Sequence, residues 1–247
     1  MNSKRIHIGR VPVDAVTLEE AIDAIDGLVA RGFGGTVFTP NVDHIVVAET
    51  SERFYNAYDS VDLSVVDGMP VLWASKLLGL PLPEKISGSD LVMPILERSR
   101  VKKYRVYFLG ADPGVAALAK QKIEEAMPGV EIVGVSSPRI DVDGDLTDVI
   151  NSVVQTRPNI VLVALGAPKQ EIFCHEHRKQ LAPAVLVGVG ASLDFIAGVK
   201  RRAPTWISAA GLEWLFRLVQ EPRRLAYRYL VRDPKFLAIL WNQVKGK

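Results

Sequence analysis

A chain of 247 residues, 48% hydrophobic and 23% charged, is long enough to bury a sizeable core in one large α/β domain or two small ones, and too ordinary in composition for a disordered or fibrous protein. The only cysteine, Cys174, excludes an intrachain disulfide and fits a reducing compartment. The net charge of +2 is unevenly spread: residues 199–247 hold eleven Lys or Arg against three acids, a surplus of +8, so residues 1–198 carry −6. The basic start of the chain has no apolar run behind it, so no leader is expected. Nowhere do about 18 apolar residues run together, so no spanning helix is expected and the cytoplasm is the default location.

Strands and helices alternate along the first 198 residues. Residues 5–13 read as extended. Thr17-Leu-Glu-Glu20 is a capping box that opens an amphipathic helix to about Val29. Residues 36–38 form a short β-branched and aromatic strand, followed by Thr39-Pro40-Asn41 and a helix carrying Ile45, Val46, Ala48 and Phe54. Residues 62–66 make the next strand, stopped at Asp67-Gly68. A helix runs on to Leu78, a loop holds Pro81 and Pro83, and Ser89 is the expected cap of the helix after it.

The strand 105–109 runs into Gly110-Ala-Asp-Pro-Gly114 and a helix to Ala126. A strand at 130–135 and a helix at 147–155 follow. The apolar strand 160–165 ends at Gly166-Ala-Pro-Lys-Gln-Glu171, and the strand 185–189 at Gly188 and Gly190. Continuous apolar strands between helices predict a parallel sheet covered on both faces. The fold class is therefore α/β, a doubly wound, largely parallel sheet of Rossmann-like type. The expected division is a catalytic domain at 1–198, with halves at about 1–102 and 103–198, and a helical appendage at 199–247.

The appendage is basic and aromatic: three of the four tryptophans, Trp206, Trp214 and Trp241, lie in it. Leu212, Leu215, Phe216 and Val219 fall on one helical stripe. Arg217, Arg224 and Arg228 would share another face of a continuous helix, but Pro222 suits the first turn of a new one. Basic and aromatic residues together favour contact with an anionic membrane surface. A solvated helix face is the bland alternative. Nucleic acid is the competing anionic partner, and no recognised nucleic-acid motif supports it.

In open parallel sheets ligands bind at the carboxyl ends of the strands. Four such ends carry polar or glycine turns here: 39–41, 67–68, 110–114 and 166–170. The two glycine turns open helices, whose N–H groups suit a diphosphate. The chain lacks both the G-x-G-x-x-G fingerprint and a P-loop. Spacing alone leaves Asp67 open between a helix N-cap and a crevice carboxylate, and leaves Thr39 and Asn41 open in the same way. Asp141-Val-Asp143-Gly-Asp145 reads as a solvated turn rather than a metal loop. His175 and His177 miss the spacing of a zinc pair, and Cys174 reads as a small buried residue.

Six segments together resemble a known family: Thr39-Pro-Asn-Val-Asp-His44, Asp67-Gly68, Ser87-Gly-Ser-Asp-Leu91, Gly166-Ala-Pro-Lys-Gln-Glu171, Gly188-Val-Gly-Ala-Ser-Leu-Asp-Phe195 and Gly211-Leu-Glu-Trp-Leu-Phe-Arg-Leu-Val-Gln-Glu-Pro222. In this order they are similar to the bacterial WecG/TagA/CpsF glycosyltransferases. The resemblance implies inverting transfer of N-acetylmannosamine from a UDP sugar to a polyprenyl-diphosphate-linked GlcNAc acceptor, in the synthesis of teichoic acid or exopolysaccharide, with no cofactor and no metal. Glucose and other hexoses also lie within the family's range of donors. It implies Asp67 as general base, Thr39 beside it, and Gln170 in the donor site. It also implies Arg217 and Arg224 as diphosphate contacts in a membrane-touching appendage. Lys85 stands where members often carry arginine, which would turn a bidentate phosphate contact into a point charge. Asn41, Asp90, Gly110 and Gly190 complete the expected substrate-binding set. The apolar faces of the tail helices are also candidates for burial between protomers of a homo-oligomer.

Overall fold

The structure is a computed structural model that describes residues 4–246, without the side chains of Thr205 and Ala209. Residues 1–3, which open the stretch read as lacking a leader, and Lys247 lie outside the described residues. The chain begins with an antiparallel hairpin of β1 (Arg5–Ile8) and β2 (Val11–Asp14), where the sequence reads only as extended. Next come α1 (Leu18–Arg31), β3 (Gly35–Phe38), α2 (Val42–Ala48), α3 (Glu52–Asp59), β4 (Leu63–Ser64), α4 (Met69–Leu77) and α5 (Gly88–Lys102). The following segment holds β5 (Arg105–Gly110), α6 (Val115–Ala126), β6 (Glu131–Ser136), α7 (Thr147–Gln155), β7 (Ile160–Ala164), α8 (Lys169–Leu181), β8 (Val185–Gly188) and α9 (Ser192–Ala197). The tail consists of α10 (Thr205–Ala209), α11 (Glu213–Gln220), α12 (Pro222–Tyr227), a π-helical turn (Arg228–Arg232) and α13 (Lys235–Lys245).

Six strands form one parallel sheet in the order β4-β3-β8-β7-β5-β6. β8 lies between β3 and β7, so strands from residues 1–102 and 103–198 share that sheet. Alternate residues feed two apolar layers. Phe38, Leu109, Val161, Val163 and Leu186 face α2, α3, α7 and α8, while Val37, Phe108, Leu162, Val185 and Val187 face α1, α5, α6 and α9. Each side chain of this size buried from water contributes about 1.5–3 kcal/mol. β4 is shorter than the sequence predicts. Asp67 N donates to Pro40 O at 2.8 Å, but Pro40 has no N–H to return, and the ladder ends.

The capping box on α1 forms as its spacing predicts: Glu20 N donates to the Thr17 hydroxyl and Thr17 N to the Glu20 carboxylate. The cap of α5 is Ser87, and not Ser89. Asp90 stands at the third helical position after Ser87, so Ser87 closes a reciprocal box with it.

Pro222 is the first residue of α12, so the helix breaks there and Arg217, Arg224 and Arg228 do not share a face. The apolar stripe of α11 is not buried. Leu215 is 42% and Val219 75% exposed, because periodicity marks a face without supplying anything to cover it. Among the described apolar side chains of the tail only Ala203, Leu225 and Phe236 are buried. α13 folds back on α2 and the hairpin: Gly9 N donates to Gln243 Oε1 at 2.9 Å, and Gln243 Nε2 to His7 O at 2.8 Å. Among the described residues no helix is long and apolar enough to cross a membrane.

Candidate active site

All six strands of the parallel sheet end at one edge, and two cavities open there. The first, about 430 Å³, lies where β3 and β4 end and is roofed by the tail. Asn41, Asp67, Gly68 and Lys85 of the body line it, opposite Glu213, Trp214, Arg217, Arg228 and Tyr229. The second, about 440 Å³, sits where β5 leads outward to β6 while its neighbour β7 leads the opposite way to β8. That divergence is where open parallel sheets accept ligands.

Asp67 follows the last strand residues of β4 and sits partly buried on the first cavity's wall. Its carboxylate caps no helix: α4 starts from Gly68 without a side-chain cap, which removes the N-cap reading. Burial pushes Asp67 up to about 6. Arg217 and Lys85 pull against that rise, while Glu213 and Asp90 add to it. Arg217 is itself held by Glu213, Nη2 to Oε1 at 2.6 Å. A carboxylate so placed takes a proton from a hydroxyl more readily than an exposed aspartate does.

The neighbouring residues divide between structure and exposure to the cavity. Thr39 is buried at the end of β3 and lines neither of the two cavities. Asn41 is the N-cap of α2, accepting from Asp43 N at 3.0 Å and His44 N at 3.4 Å, and its Oδ1 also accepts from Arg228 Nη2 at 3.1 Å. Lys85 faces the cavity while its Nζ donates to Asp90 Oδ2 at 3.0 Å. Asp90 stands behind it, bonded also to Ser87 and to Arg202 at 2.5 Å. Burial opposes its charge, yet Arg202, Ser87 and Lys85 hold it well below the usual carboxylate range.

Gly110 ends β5 with φ +105°, and a Cβ there would sit 2.6 Å from Ala164 O, so only glycine lets the end of β5 approach β7 this closely. Gln170 is buried at the start of α8. It accepts from Gly190 N at 2.9 Å and donates to Glu171 Oε1 at 2.9 Å, tying the turn after β7 to the turn after β8. A side chain at Gly188 would strike its amide at 2.4 Å. Gly190 and Arg224 line the second cavity, where Arg224 Nε pairs with Glu221 at 2.5 Å. Arg217 and Arg224 thus serve different cavities.

Sequence reasoning missed much of the lining. Arg228, Tyr229 and Trp214 of the first cavity come from the tail, and Trp214 meets Tyr229 edge to face at 5.9 Å. The second cavity is basic through Arg139, Lys169 and Lys200, balanced by Asp112, Asp194 and Glu221. Lys200 lies 3.6 Å from Asp194 and 3.3 Å from Glu221, joining tail to body. The glycine turns at 110–114 and 166–170 pointed towards Asp112 and Lys169, and the charge surplus of the tail hinted at Lys200 and Arg228.

The remaining candidates are structural. Asp143 pairs with Arg53, Asp141 accepts from Asp143 N and Asp145 from Thr147 N, as in a solvated turn. His175 bonds Ser60, His177 bonds Gln180, and Cys174 is fully buried.

A parallel α/β sheet with a charged crevice at its switch point, beside a cavity bearing a raised carboxylate, has the layout of a group-transfer enzyme with two substrates. The profile described as "Glycosyl transferase WecG/TagA/CpsF family" matches residues 6–247, and the chain belongs to that family of glycosyltransferases. Among similar proteins, one from Bacillus spizizenii is 35% identical over 204 residues, covering 83% of this chain and 77% of its own. One from Bacillus subtilis is 29% identical across 100% of this chain and 94% of its own, and one from Staphylococcus aureus 27% across 91% and 88%. All three carry the name N-acetylglucosaminyldiphosphoundecaprenol N-acetyl-beta-D-mannosaminyltransferase.

Proposed function

We propose that this glycosyltransferase moves N-acetylmannosamine from a UDP sugar to GlcNAc-diphosphoundecaprenol, with inversion at the anomeric carbon, in the synthesis of a cell-surface polymer such as teichoic acid. The observation that carries the mechanism is the Asp67 carboxylate, raised to about 6 and facing a cavity with Arg217 and Lys85. The acceptor hydroxyl attacks the anomeric carbon as Asp67 takes its proton. The bond from that carbon to the diphosphate breaks, and UDP departs with the electron pair. Positive groups must meet that charge. Lys169 and Lys200 stand in the second cavity with Arg224, next to the glycine turn at 110–114 that opens α6. The nucleotide belongs there, and the acceptor in the first cavity, its diphosphate beside Lys85, Arg217 and Arg228.

The acceptor's lipid locates the protein. Trp206, Val219, Tyr227, Leu230, Leu237 and Trp241 are all more than half exposed on a tail with a surplus of +8. Such a surface suits the anionic inner face of a cell membrane, with the body peripheral to it.

The test is a transfer assay with a lipid-diphosphate-GlcNAc analogue and a panel of UDP sugars, read by mass spectrometry with and without chelator. The expected product gains one N-acetylhexosamine from UDP-N-acetylmannosamine, unchanged by chelator. A hexose gained from another donor would replace the proposed sugar. Thermal stabilisation by UDP with no product from any donor or acceptor would overturn the catalytic reading.

A further inference from the structure

Asp43 takes no part in the transfer chemistry above, yet it is only 2% exposed and sits where body and tail meet. It lies in the first turn of α2, two residues beyond the Asn41 cap. Two tail arginines converge on it: Arg228 Nε is 3.3 Å from its Oδ2, and Arg232 Nη2 is 2.5 Å from its Oδ1. Arg228 also reaches Asn41 Oδ1, the same oxygen that caps α2. One guanidinium therefore touches both the turn that follows β3 and the carboxylate behind it, while lining the first cavity.

Asp233 Oδ2 also lies near Arg228 Nε, at 3.8 Å, farther than either Asp43 contact. Burial, and then the charge of Asp43, pushes Asp233 up to about 7, and burial does the same to Glu171. Burial, with Arg228 and Arg232 beside it, keeps His44 neutral. Asp43 is thus the acid nearest to both arginines, and it is buried while they are partly exposed. A buried pair that loses one partner leaves a stranded charge, which is costly.

We propose that Asp43 is a positioning residue: its charge clamps Arg228 and Arg232, and with them the tail wall of the first cavity, against the turn that carries Thr39 and Asn41. The inference rests on the reading that this cavity takes the lipid-linked acceptor. The clamp would make acceptor capture depend on how Arg228 and Arg232 dock, while the nucleotide cavity, whose tail residues Lys200, Glu221 and Arg224 are tied to Asp194 of the body instead, stays formed without it.

The experiment is Asp43→Asn in the full-length chain, with three readouts. Chymotrypsin, whose aromatic sites crowd the tail, should cut the tail about tenfold faster, since cleavage follows the opened population. The KM for the lipid analogue should rise about tenfold while kcat changes less than about threefold. Thermal stabilisation by UDP should stay as in the unaltered chain. Unchanged tail cleavage with unchanged acceptor KM would overturn the clamp, and so would a loss confined to kcat. Should Asp43→Asn not fold, Arg232→Gln tests the same contact from the partly exposed side. It should raise cleavage and acceptor KM about threefold, and no change in either would overturn the proposal. If the unaltered chain transfers no sugar, the functional reading fails, and the cleavage comparison still decides whether the clamp exists.

Discussion

The body and the tail are stabilised by different physics. The four central strands β3, β8, β7 and β5 send side chains into two apolar layers, and residues such as Phe38, Phe108, Leu109 and Leu186 are wholly buried. Among its described residues the tail buries little beyond Ala203, Leu225 and Phe236 and is held mainly by polar ties: Arg228 and Arg232 to Asp43, Lys200 to Asp194, Arg202 to Asp90 and Gln243 to the hairpin. Area burial holds a rigid platform for the strand-end turns. Ion pairs and a few hydrogen bonds, which falter when water or another surface competes, hold a roof that leaves its apolar side chains outward. Asp67 lies at the seam, fixed by the first region and tuned by Arg217 of the second.

The largest expected effect tests that seam. Asp67→Asn should cut turnover by about a thousandfold while leaving UDP binding intact, because the base is lost and the cavity's shape is kept. The same change should stabilise the fold. A carboxyl raised in the folded state costs stability as pH climbs through about 6. The variant's melting temperature should therefore exceed that of the unaltered chain by several degrees at pH 8, roughly 1–3 kcal/mol, and the gain should vanish near pH 4. In the unaltered enzyme kcat/KM should fall tenfold per pH unit below about 6. A flat profile from pH 5 to 8 would remove Asp67 from the role. The next contrast is between regions. Leu186→Ala, in central β8, should cost about 3–4 kcal/mol by denaturant unfolding. Leu237→Ala, 69% exposed on α13, should stay within about 0.5 kcal/mol. Equal losses would mean that the tail is as much core as the body.

The two regions also differed in how far they could be read from residues alone. Signals in the body are local: Thr17 and Glu20 announce a cap three residues apart, and the apolar run at 160–165 announces a covered parallel strand. Asp67-Gly68 after such a strand was legible as a strand-end carboxylate, though only the backbone at Gly68 separated it from an N-cap. What stayed hidden is non-local. Nothing near residues 185–188 says that β8 slots between β3 and β7, because parallel neighbours are chosen by packing across the whole sheet. The clamp joins Asp43 to residues about 190 positions away, so no spacing rule reveals it. Ser89 was misread because serines flank Gly88, the first residue of α5, and Asp90 decides between them. The α11 stripe was legible as apolar, but periodicity is silent on whether protein, lipid or nothing covers it.

The smallest effect bears on that last question. Trp241 is 60% exposed on α13, with the Lys245 ammonium 4.6 Å from its ring centre. A cation over an exposed indole on a basic tail places an apolar body and a charge where an anionic bilayer would take both. Trp241→Ala should weaken binding to vesicles containing phosphatidylglycerol by about fivefold, close to 1 kcal/mol, and should leave the melting temperature unmoved. Binding measured by co-sedimentation should fall further as salt rises, for the variant and the unaltered chain alike, because the basic surplus is screened within about 10 Å at 0.1 M ionic strength. If Trp241→Ala instead lowers the melting temperature and leaves vesicle binding unchanged, the exposed tail face is covered by protein, and a second copy of the chain becomes its natural occupant.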